Sequence, residues 1–81
     1  MIIDFHAHVF PDNIAKKASD SIGRFYDMLI RFDGTLSSLI RAERAAGIGG
    51  CVVHSVSTTP SQTASINGFI AGICRANGNI Y

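Results

Sequence analysis

The stretch Ile48-Gly49-Gly50-Cys51-Val52-Val53-His54-Ser55-Val56 places apolar residues on both faces of an extended chain. A strand with one wet face alternates apolar and polar side chains. A strand covered on both faces does not, and double coverage belongs to parallel sheets with helical crossovers. The run therefore calls for another strand beside it and for helices to cover it. Ile2 to Phe10 supplies the strand, with Ile3, Phe5, Ala7 and Val9 on one face and Asp4, His6 and His8 on the other. Pro11-Asp12 ends this segment, because proline has no N–H for a ladder.

Helical patterns lie between and after these runs. Asp12 is a candidate N-cap for a short helix with Ile14, Ala15, Ala18 and Ile22 on one stripe, closed by Gly23. Arg24 to Phe32 is dense in large apolar groups, and its pattern fixes no conformation; a helical insertion that covers other residues is one reading. A cleaner helix follows Gly34, with Thr35 as its cap, Leu36, Leu39 and Ile40 at helical spacing, and Gly47 just past its end. Ser55, Ser57, Thr58 and Thr59 read as turn and cap residues. Thr59, Pro60 and Gln62 form a capping-box pattern at N-cap, N1 and N3. Ile66, Phe69, Ile70, Ile73 and Cys74 then make one apolar stripe, and Gly78 is expected to end it. Asn79-Ile80-Tyr81 reads as the first residues of another strand. The order β-α-(α)-α-β-α-(β) predicts an α/β fold with parallel strands.

Composition narrows the function classes. Seven Lys and Arg against six Asp and Glu leave a formal net charge of +1, with no basic stripe to neutralise phosphates, so a nucleic-acid binder is not expected. No run approaches the roughly 18 apolar residues needed to span a bilayer, and no basic and apolar leader opens the chain. A cytoplasmic, non-membrane protein is the expectation. Cys51 and Cys74 match no zinc-knuckle spacing and read as small buried apolar residues. No nucleophile elbow, dinucleotide fingerprint or P-loop occurs, and Gly47-Ile48-Gly49-Gly50 precedes a strand where a phosphate-binding loop would follow one. No residue is assigned as catalytic.

The chemistry concentrates in His6 and His8. Residues two apart on a strand share a face, with Cα atoms roughly 6–7 Å apart. Both histidines lie at the carboxyl end of their strand, where open and closed parallel sheets place their ligands. Neutral imidazoles there suit zinc, iron, nickel or manganese-type ions. A bare His-x-His also fits two polar residues bonded to backbone or water. Asp4 on the same expected face favours the metal reading, because a row of buried polar groups is costly unless it is used. Asp4 is assigned as a supporting hydrogen-bond partner, not a ligand. His54, near the end of the second strand, reads as a satisfied histidine within the sheet, although it could line the same mouth.

The opening Met1-Ile2-Ile3-Asp4-Phe5-His6-Ala7-His8-Val9-Phe10-Pro11-Asp12 resembles the first strand of the amidohydrolase superfamily. More narrowly it resembles the amidohydrolase-2 family of metal-dependent hydrolases and nonoxidative decarboxylases. Phe32-Asp33-Gly34-Thr35-Leu36, Arg44-Ala45-Ala46-Gly47-Ile48, Thr58-Thr59-Pro60-Ser61-Gln62 and Ser65-Ile66-Asn67-Gly68-Phe69-Ile70 are also similar to that family. The resemblance implies a (β/α)8 barrel holding one or two divalent metals, zinc by expectation, with His6 and His8 as the first two ligands. The family's remaining ligands are a histidine on the fifth strand, commonly another on the sixth, and an aspartate on the eighth. None of these falls within residues 1–81, which would form the first two βα units and the start of a third strand. A whole barrel takes roughly 250 residues.

The expected function is therefore metal-activated hydrolysis, or nonoxidative decarboxylation, of a small carboxylic-acid-type substrate. The 81-residue chain alone is expected to be inactive, since catalytic zinc usually keeps three protein ligands. The alternative is a non-catalytic α/β domain that self-associates to complete its sheet or core. A small α/β binding module unrelated to amidohydrolases is a third reading, and it leaves the shared face of Asp4, His6 and His8 unexplained.

Overall fold

A computed structural model of the chain describes residues 1–57 and 59–81. Strand β1 (Ile3–His8) leads into helix α1 (Asp12–Tyr26), then α2 (Leu36–Ala45), strand β2 (Gly50–His54), a 3-10 turn (Pro60–Gln62) and α3 (Thr63–Ala76). β1 and β2 pair in parallel as a two-stranded sheet. The chain is thus a small α/β domain with three helices. The expected third extended segment is present as a parallel bridge from Ile80 to Cys51. The Cys51 N–H donates to the Asn79 carbonyl (3.0 Å) and the Tyr81 N–H to the Cys51 carbonyl (2.9 Å).

The core lies between the sheet and α2 and α3. Val9, Cys51, Val53 and Ile80 are buried, and Leu36, Leu39, Ile40, Phe69, Ile70, Ile73 and Cys74 pack against them. These helix residues are the stripes read from the sequence, and burying them is what holds each helix in place. Both cysteines are free, Cys51 buried and Cys74 half-buried, as small apolar residues would be.

Several local expectations change. The strict alternation of β1 fails at a bulge: Ile3 and Asp4 pair with Gly50 and Cys51, whereas Ala7 and His8 pair with Val53 and His54. One extra residue in β1 reverses the alternation there, and Phe5 is 76% exposed instead of joining the core. Pro11, not Asp12, caps α1, and Asp12 opens its first turn, where its charge complements the helix dipole.

Gly23 does not end α1. The helix continues to Tyr26 and stops at Asp27, which takes a left-handed conformation (φ 53°). Gly23 serves the returning chain instead: a Cβ there would lie 2.9 Å from the Met28 carbonyl and 3.0 Å from Ile30 Cγ1. Arg24 to Tyr26 extend α1 and residues 27–35 form no helix; Met28 and Ile30 lie against Gly23, while Phe25, Leu29 and Phe32 face solvent.

Thr35 caps α2 as expected, its hydroxyl accepting from the Ser38 N–H (3.3 Å), and Gly47 (φ 74°) follows the helix end. Ahead of α3, Thr59 is extended and Pro60 occupies the first position, but the Thr59 side chain makes no capping bond and the first turn is 3-10. Thr58 lies outside the described residues. Asn77 ends α3 one residue before Gly78, with its side-chain amide donating to the Ile73 carbonyl (2.8 Å).

Candidate metal centre

β1 and β2 both end on a histidine, and parallel pairing brings His8 opposite His54. Cys51 and Val53 point into the core, so His54 points to the other face, and Ala7 and Val9 fix His8 on that face in the same way. The bulge leaves His6 beside them. Three imidazoles therefore gather at the carboxyl ends of the two strands, on the face opposite α2 and α3. The ring centroids of His6 and His8 are 4.9 Å apart at 68°, those of His6 and His54 4.4 Å apart at 24°, and those of His8 and His54 6.0 Å apart.

His6 Nε2 and His8 Nε2 converge to 3.0 Å. Without an ion this is an N–H···N hydrogen bond whose donor is set by the tautomers of the two rings. Two nitrogens at about 2.0–2.1 Å from a common zinc ion stand roughly 2.9–3.4 Å apart at angles near 90–110°. The pair fits two neighbouring ligands of one ion. It does not make a closed site: among the described residues no group of three or more His, Cys, Asp or Glu is placed to hold a metal.

The surroundings of His8 suit a cation. Partial burial lowers the pKa of His8 below the ordinary imidazole range, and the neighbouring charges of His6 and His54 lower it further. Both causes favour the uncharged imidazole, the form that ligates metals.

Asp4 has a different place from the one its spacing suggests. Its carboxylate accepts the His6 backbone N–H (3.0 Å), and its strand partner is the buried Cys51. Its electrostatic neighbour is Glu43 of α2. The His6 N–H holds the Asp4 carboxyl below its ordinary value and the bond with Glu43 adds to this, while burial and then Asp4 push Glu43 up. Glu43 Oε2 is buried and has no hydrogen-bond partner among the described residues. Asp4 thus holds the His6 backbone N–H and lies beside Glu43 of the helix layer.

His54, expected as a satisfied histidine within the sheet, stands beside the pair at the same strand ends. Its Nε2 lies 3.4 Å from the Phe5 carbonyl oxygen and its ring stacks on His6. The signal that locates it is register: two parallel strands that each end on histidine, paired in phase, set those histidines side by side.

No family model, curated protein or solved structure matches the chain.

Proposed function

We propose that residues 1–81 are the first two βα units of an amidohydrolase-type (β/α)8 barrel, in which His6 and His8 supply the first pair of ligands to a divalent metal ion, zinc by donor type. The observation that carries this reading is the 3.0 Å convergence of the two Nε2 atoms at the carboxyl end of a parallel strand. Two features support it. Ile80 continues the parallel pairing on β2, so the strands add in chain order as they do in a barrel. The sheet is covered by α2 and α3 on one side, while the other carries the histidines.

In this reading the ion polarises a carbonyl or carboxylate group and activates water, which serves hydrolysis or nonoxidative decarboxylation of a small carboxylic-acid-type substrate. The residues of this chain do the holding. His6 and His8 present Nε2, and Asp4 anchors the His6 backbone. Two ligands leave the site open and offer no general base, so the 81-residue chain by itself turns over no substrate.

Calorimetric zinc titration tests the assignment. Binding that disappears in both His6→Ala and His8→Ala is expected; unchanged affinity in either variant contradicts it.

A second reading is a self-associating domain without catalysis. The exposed Phe25, Tyr26, Met28, Leu29 and Phe32 favour it, since monomers rarely leave so many large apolar groups together in water. The two readings are compatible: self-association covers surface, and the histidine pair binds the ion.

A further inference from the structure

The proposed ligand pair leaves His54 without a part. His54, at the end of β2, makes two specific contacts. Its ring lies nearly parallel to that of His6, 24° between planes and 4.4 Å between centroids. Its Nε2 reaches the carbonyl oxygen of Phe5, the residue in the β1 bulge directly before His6. His6 is thereby restrained from three sides. Asp4 holds its backbone N–H, His54 covers one ring face, and His8 meets its Nε2.

We propose that His54 is a positioning residue for the metal site. Stacking removes the rotational freedom of the His6 ring, and the Phe5 carbonyl fixes His54 so that the stack has a definite orientation. The Nε2 of His6 then points at the Nε2 of His8 before any ion arrives. His54 is not a third ligand: its own Nε2 is directed to the Phe5 carbonyl, and no trio among the described residues is set to hold a metal. The inference rests on the reading of His6 and His8 as ligands. Residues that orient a ligand in this way typically change metal affinity 10–100-fold when removed.

The test is zinc affinity of the full 81-residue chain, measured by calorimetry on the wild type and on His54→Ala, His54→Phe, His6→Ala and His8→Ala. Circular dichroism sets a temperature at which every variant is folded. His54→Ala is expected to weaken zinc roughly 10–100-fold. His54→Phe, which keeps an aromatic face against His6, is expected to recover most of that loss. A residue that serves only stability would lower the melting temperature of His54→Ala and leave the zinc affinity of the folded chain unchanged, and that result overturns the proposal. Loss of binding in His54→Ala as complete as in His6→Ala, with no recovery in His54→Phe, makes His54 a ligand and also overturns it. Absence of zinc binding by the wild type defeats the ligand reading and this inference together. Binding lost in His6→Ala and His8→Ala but untouched in His54→Ala defeats this inference alone.

Discussion

Individual side chains decide the chemistry here, and their protonation is testable. His8 has a depressed pKa in the folded chain, caused first by burial and then by His6 and His54. The unfolded chain therefore takes up this proton at higher pH than the folded one. The stabilising difference is complete above the unfolded imidazole value of about 6.5 and is lost as pH falls from there through the lower folded value. Stability and zinc affinity should both decline over that acid window, and a pH series of urea melts and zinc titrations checks this. Asp4→Asn keeps an acceptor for the His6 N–H but removes the charge beside Glu43. The Glu43 pKa should then fall while staying above the ordinary value, because its burial remains; carboxyl carbon chemical shifts against pH measure it. The histidine pair was legible in the sequence because i and i+2 share a strand face. The placement of Asp4 was not, because the bulge between Asp4 and Ala7 depends on the register of β2, which no local pattern in β1 contains.

Turn and cap chemistry governs the elements. Among the described residues Thr35 is the helix cap whose side chain bonds as expected, and Thr35→Ala should cost about 0.5–2 kcal/mol in urea unfolding. Gly34 and Gly47 both have positive φ, 80° and 74°, but differ in space. A Cβ at Gly47 meets nothing within 4 Å, whereas at Gly34 it would lie 2.7 Å from Ser19 Oγ and 3.0 Å from Phe10 Cδ2. Gly47→Ala should cost only the left-handed strain of about 1–2 kcal/mol, and Gly34→Ala distinctly more; equal midpoints in parallel urea melts would contradict this. α2 was readable from end to end because its cap, stripe and closing glycine are local signals. The end of α1 was not, because Gly23 is a glycine for close approach to Met28 and Ile30, a contact set by the fold and not by the helix.

At the scale of the molecule, the core is small and much apolar surface is left outside it. Val9 and Cys51 are the largest side chains that are fully buried, while Phe25 is 82% and Leu29 87% exposed. A sheet with open edges and such a surface should associate. Light scattering across a concentration series is expected to show mass above the 8.7 kDa of one chain. Replacing Phe25 and Leu29 by lysine should move it toward that value, and a wild type that is monomeric throughout would contradict the expectation. Parallel α/β order could be read from the sequence because period-two and period-3.6 segments alternate. The solvent exposure of residues 27–32 could not, since hydrophobic composition says that a surface wants cover and not where the cover lies. If the Nε2 atoms of His6 and His8 take one metal ion, imidazole 15N NMR during zinc titration will show it. Both rings should end as Nδ1–H tautomers with metal-shifted Nε2 resonances, while His54 shows no coordination shift. Nε2 resonances of His6 and His8 that stay unmoved at saturating zinc would contradict it.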